Sequence, residues 1–223
     1  RGRIAGAAAA ARGVAEAAAS SASGQALLEA NHVIGNAKAG IVLSRGACAH
    51  LERNTLRDGK GAGLLVCGGA RGVARRNEVR GHAKTQVQIC DAGTAPLLEE
   101  NEVHAGHAGG VLVYGNGGGV LRANRVHGHA QANVRLTEGA TCTLEGNVVH
   151  EGEDCGVVLV GCSCLVTRNE IHHTRKAGLL AHGDATAPLL VANKIHHSHQ
   201  AGVYAYDGSS ATLVGNEIAS NFG

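Results

Sequence analysis

Apolar and polar residues alternate with period two over short stretches of the chain, and glycines or polar pairs separate those stretches. This is the pattern of half-buried strands, not of helices. No segment carries a 3.6-residue apolar stripe long enough for a crossover helix. The stretches recur with a fixed period. Asn31, Asn54, Asn77, Asn101, Asn124, Asn147, Asn169, Asn193 and Asn216 follow one another at intervals of 22 to 24 residues. Two residues after each Asn stands an aliphatic: Val33, Leu56, Val79, Val103, Val126, Val149, Ile171, Ile195 and Ile218. Three residues before it stands another, such as Leu28, Leu51 or Leu98. The exception is Ala74, where Val73 is expected to take its place. Earlier in each unit comes a Gly-aliphatic-x-aliphatic run, as in Gly40-Ile41-Val42-Leu43 and Gly110-Val111-Leu112-Val113.

Three short strands and three turns in about 23 residues make one coil of a solenoid. The expected fold is therefore all-β: a right-handed parallel β-helix of about nine coils over residues 17–223. The Ala-rich residues 1–16 are read as a degenerate coil or a cap. At a strand spacing of about 4.8 Å the rod is roughly 43 Å long. Equivalent residues stack, so the Asn column becomes a hydrogen-bonded ladder, with Asn expected in the left-handed turn conformation it tolerates. In the two 24-residue coils ending in Asn101 and Asn193, Gly93 to Pro96 and Ala185 to Pro188 are expected to form the enlarged turns. The repeat breaks off in mid-coil at Asn216-Glu217-Ile218, so the chain reads as part of a longer protein.

Composition narrows the picture. There are 34 glycines among 223 residues but only three Tyr and one Phe, so the core must be built from small aliphatics in regular layers. The formal charge is +2, and no basic tract is interleaved with aromatics, which argues against a nucleic-acid partner. No apolar run approaches the length of a membrane span, about 20 residues. Seven cysteines without a zinc-type spacing point to reduced structural thiols and an intracellular, cytoplasmic setting.

Units such as Ala39-Gly40-Ile41-Val42-Leu43, followed by Leu51-Glu52-Arg53-Asn54, resemble the parallel β-helix repeats called CASH repeats, found in carbohydrate-binding proteins and sugar hydrolases. The alternation of Asn193-Lys194-Ile195 with Ala201-Gly202-Val203 is most similar to the β-helix of F-box-type ubiquitin-ligase substrate receptors. The resemblance covers about residues 17–223 and is specific for the fold. It implies either carbohydrate chemistry or, with sequence outside this chain, substrate recognition for a ligase.

Enzymes of this fold that cleave polysaccharides are expected to show clustered carboxylates. The acidic residues here are scattered. Asp184 and Asp207, each nine residues before an Asn, read as neighbours in adjacent coils and as solvated turn residues. No catalytic residue, cofactor or metal site is assigned. The most distinctive feature is a column three residues after the Asn: Arg57, Arg80, His104, His127, His150, His172 and His196. It is expected to face outward as a stack of rings and to form a partner-facing edge, with His82, His107, His129, His173, His197 and His199 beside it. Cys67 with Cys90 and Cys142 with Cys164 fall at equivalent strand positions. Tyr114, Tyr204 and Tyr206 read as isolated surface residues rather than as a sugar-stacking platform. The function expected from these features is a non-catalytic scaffold that presents flat faces to protein partners in a large intracellular assembly. Carbohydrate binding or processing is the alternative, and the F-box ligase role a further one.

Overall fold

A computed structural model describes residues 15–17 and 25–223. It has the expected architecture: three parallel sheets, each of nine strands, wound into one solenoid. The first sheet runs from Ala15–Ala17 through Ile41–Leu43 to Val203–Tyr206. The second runs from Ala26–Glu29 to Thr212–Val214, and the third from His32–Ile34 to Glu217–Ala219. Every strand pairs in parallel with its equivalent one coil away, as in Ile41↔Leu64, Leu51↔Ala74 and Val103↔Val126. The Ala-rich segment assigned to residues 1–16 lies outside the described residues except for Ala15 and Glu16, which belong to the strand Ala15–Ala17 paired with Ile41–Leu43.

Strand alternation sends one column of each sheet inward. Ile41, Leu64, Val87, Val111, Val134, Val157 and Leu179 stack from the first sheet. Leu56, Val79, Val103, Val126, Val149, Ile171 and Ile195 stack from the third, and all are buried. Small side chains suit this narrow interior, where larger rings would overpack. Ala74 itself occupies the core column between Leu51 and Leu98, and Val73 faces out beside Leu97. The expected substitution by Val73 does not occur, because a one-residue slip would turn the whole strand over. A small internal void of about 10 Å³ borders Ala74, its lining running from Leu51 and Leu56 through Leu98 to Leu121.

The Asn ladder runs unbroken from Asn31 to Asn216. Each Oδ1 accepts both the backbone N–H and the Nδ2 of the Asn one coil earlier, as Asn124 does from Asn101 at 3.0 and 2.9 Å. From Asn54 onward, each Nδ2 also donates to a backbone carbonyl of the preceding coil, as from Asn124 to Leu98 at 2.9 Å. The left-handed residue is not the Asn, as expected, but the one before it: Ala30, Arg53, Arg76, Glu100, Ala123, Arg168 and Ala192 all have φ of 52–55°. The strain is taken one position earlier, which leaves the Asn side chain free to point inward. Pro96 also departs from expectation. It lies inside the strand Ala95–Glu99, opposite Gly72, and buried Thr94 and Thr186 shape the enlarged turns. Their hydroxyls accept the Gly69 and Gly161 N–H groups at 2.9 and 2.7 Å.

Candidate functional site

The outer face of the first sheet carries two outward side-chain columns. One of its side-chain columns runs from Val42 to Tyr204 and is apolar except for Gln88 and Arg135. Arg135 stands between Leu112 and Val158, exposed to solvent. No carboxylate of the described residues pairs with it. The turn that enters the sheet rises beside this column and closes a cleft of about 300 Å³ lined by Arg135, Gln131, Asp154, Thr85 and Leu112. Apolar Ala132, Cys155, Val158 and Ala177 cluster on the same side of the sheet.

Asp154 reaches the cleft from the turn before Cys155. Lys176, at the same repeat position one coil on, pairs with it at 2.9 Å. Partial burial works against the charge on Asp154. The Lys176 ammonium and the Cys155 N–H outweigh it and hold the carboxyl below its ordinary range, so it is ionised at neutral pH. Neither residue was singled out in the sequence. The available signal was their shared position seven residues after Asn147 and Asn169, and the single charged residue in an otherwise uncharged outward column.

Farther along the same face the tyrosines are not isolated. The rings of Tyr204 and Tyr206 stack at 4.9 Å, and His182 extends the stack at 5.0 Å from Tyr206. Tyr204 is 51% exposed and Tyr206 36%, so their rings form an open platform. It lies in the Arg135 column three coils on, about 14 Å away at the strand spacing. Tyr114 belongs to the second column. Its hydroxyl is pushed up to about 12, first by the Cys90 thiol beside it and then by burial.

The outer face of the third sheet carries the histidine column. His104, His127, His150, His172 and His196 stack with centroid separations of 4.5–5.2 Å and interplanar angles of 4–9°. Arg57 and Arg80 continue it toward the N-terminus. The rings point sideways, not straight out. Nε2 of His104, His127 and His196 faces Glu78, Glu102 and Glu170 at 3.3, 3.4 and 3.1 Å. His173 and His197 form a second stack at 5.2 Å.

His82 and His129 do not belong to this edge. Both are buried inside the turn between the third and first sheets, where glycines of the preceding coil make room for them. Their Nδ1 atoms accept the Gly59 and Gly106 N–H groups at 3.1 Å. The Asp184 and Asp207 column is likewise corrected. His182 is paired with Tyr206, so Asp184 is level with Gly208 and not with Asp207. The longer coil displaces the count made backward from Asn193. Cys67 and Cys90 are level on the outer face of the first sheet, and Cys142 and Cys164 are level within the core.

A family model described as a right-handed beta helix region matches residues 12–103 and 92–189. The chain belongs to that family. A search of the curated proteins finds no match. Among solved structures, the chain is similar to the periplasmic alginate epimerase AlgG, with a TM-score of 0.70 and 15% identity over 80% of this chain and 49% of that one. It is similar to the A-module of the Azotobacter vinelandii mannuronan C-5 epimerase AlgE6, with a TM-score of 0.67 and 16% identity over 87% and 59%. Pectate lyase Pel9A superposes with a TM-score of 0.61 and 10% identity over 94% and 67%. The chain thus spans about half the length of the AlgG chain.

These matches overturn two expectations from the sequence, that the protein is a non-catalytic scaffold for protein partners and that it is not an enzyme. The solved β-helices on which it superposes are epimerases and a lyase of polysaccharides. Paired carboxylates were the requirement behind both expectations. That requirement belongs to acid–base cleavage of a glycosidic bond. Removal of a proton next to a sugar carboxylate needs one base and one neutralising cation instead, with a proton then returned to the carbon or delivered to the departing oxygen.

Proposed function

We propose that this chain is a polysaccharide-processing β-helix that binds an acidic sugar chain along the outer face of its first sheet. The observation that carries the reading is the cleft lined by Gln131, by ionised Asp154 and by Arg135, which has no ion-pair partner among the described residues. An arginine without a protein partner is a ready ligand for a sugar carboxylate, which it can meet with two parallel hydrogen bonds. Neutralising that carboxylate makes the neighbouring C–H more acidic; Asp154 takes that proton, and a proton returned from water to the opposite face of the carbon completes an epimerisation. The platform of Tyr204, Tyr206 and His182 lies along the same face, where apolar sugar faces pack on aromatic rings. The name of the mannuronan C-5 epimerase describes a reaction of this class.

The test is calorimetric binding of mannuronate and galacturonate oligomers, with product analysis by NMR for epimerisation and by ultraviolet absorbance for unsaturated ends. Arg135→Ala is expected to weaken binding roughly 10- to 100-fold, the worth of a charge-assisted hydrogen bond. Asp154→Asn is expected to bind normally and to turn nothing over. Failure of both oligomers to bind, or binding indifferent to Arg135→Ala, would overturn the reading.

A further inference from the structure

We propose that His127 and His150, on the outer face of the third sheet, and Glu151, in the turn that follows His150, form a binding site for a first-row divalent transition metal such as zinc. One ligand atom from each of the three residues falls within a set whose members lie within 4.8 Å of one another. The rest of the histidine column is evenly spaced, but it is pinched here. His127 and His150 approach to 4.5 Å, whereas the other neighbours stand at 5.1–5.2 Å.

A second observation points to a ligand. His150 is only 3% exposed, yet its Nδ1 is buried without a hydrogen-bond partner. Unsatisfied buried polar atoms are uncommon and call for an occupant. The nearest candidate, a Glu151 carboxylate oxygen, stands at 3.5 Å. Zinc bonds of about 2.0–2.1 Å at tetrahedral angles place two ligand atoms roughly 3.3 Å apart, so the His150–Glu151 pair already has the bite of a chelate. Two imidazoles and a carboxylate match the borderline character of zinc, cobalt and nickel, and they leave a fourth position for water. The two rings are nearly parallel at 9°, so the third bond needs one of them to tilt. His127 has the room, with its side chain 19% exposed against 4% for His150.

Arg125 sets the metal-free state. It donates from Nε to Nε2 of His150 at 3.0 Å, which keeps the ring proton on Nδ1. Binding moves that proton to Nε2 and turns the exposed guanidinium aside. The site therefore has a negative determinant as well as ligands, and its pattern of mutant effects differs from surface adsorption by histidines. It lies on a different sheet from the proposed sugar cleft and stands independently of it.

The test is titration of the whole chain with Zn2+ by calorimetry and with Co2+ by visible absorbance. One saturable site is expected. Glu151→Gln, at a carboxylate 66% exposed and so harmless to folding, is expected to weaken binding about tenfold or more. Arg125→Ala is expected to tighten it, and His196→Ala, two coils away in the same column, to leave it unchanged. Absence of saturable binding, indifference to Glu151→Gln, or an equal loss with His196→Ala would overturn the proposal.

Discussion

Replacing Asn124 by Ala removes one rung from the middle of the ladder. Four side-chain hydrogen bonds go with it: two accepted from Asn101, one donated to Leu98 and one donated to Asn147, all at 2.9–3.0 Å. The backbone N–H of Asn124 keeps its bond to Asn147, so that neighbour is spared. The Asn101 N–H is not, and at this depth water cannot replace the lost partner. A net of about 1 kcal/mol per bond, with the larger penalty for a stranded buried donor, puts the cost at roughly 3–5 kcal/mol. Asn216→Ala deletes three of the equivalent bonds in the last described coil, where the side chain is only half-buried and solvent substitutes, and should cost about 1 kcal/mol. Urea unfolding measures the difference. Hydrogen exchange of the Asn101 and Leu98 regions localises it, since repeat arrays need not melt in one step. Equal costs at the two positions would refute the idea that the buried ladder, rather than the sheets alone, holds the coils in register.

Three further outcomes follow from the interior. Gly106→Ala places a Cβ 2.6 Å from His129 Nδ1 and 2.5 Å from Gln86 Nε2. It should destabilise by several kcal/mol, roughly 2–4, and a Gly106→Ala/His129→Ala double mutant should lose clearly less than the sum of the singles in a double-mutant cycle. Ala74→Val should fill part of the void beside Leu51 and Leu98 and stabilise the fold by about 0.5–1 kcal/mol, read as a higher urea midpoint; a lower midpoint would show the void to be tighter than it looks. Acid should weaken the fold through His129, whose pKa burial lowers to about 4. The unfolded residue takes its proton near 6.5, so stability is full above that pH and is lost as the pH falls to about 4, by about 3 kcal/mol. Burial lowers His82 in the same direction. A pH profile of unfolding that stays as steep in His129→Asn would rule this residue out as a source.

The repeat made the fold legible because a parallel solenoid imposes the same environment on every coil. Leu56, Val79, Val103 and their equivalents must be aliphatic because each sits directly on the next, and Asn54 to Asn193 must be Asn because only a side chain with one acceptor and two donors closes the ladder in both directions. The departures came where one coil compensates for another. Ala74 is small and its neighbours leave the space open. Gly59 and Gly106 are bare because His82 and His129 of the next coil fill the room above them. Such pairs are written 23 residues apart, so local alternation places both histidines on the surface edge.

The candidate site was less legible for a related reason. A repeat column is invisible if the count starts from the wrong anchor. Measured backward from the next Asn, Asp184 and Asp207 look aligned; measured forward from the preceding Asn, the added residue of the coil falls after the first sheet and separates them. The same forward count puts Asp154 and Lys176 at one position, and it puts Arg135 in the outward column that ends in Tyr204. The proposed site is therefore built from breaks in the repeat's own consensus: a cation among aliphatics, an acid paired with a lysine, rings at one end of a face. A solenoid holds those exceptions at fixed multiples of the strand spacing, which is the property a surface needs if it is to match the regular repeat of a sugar polymer.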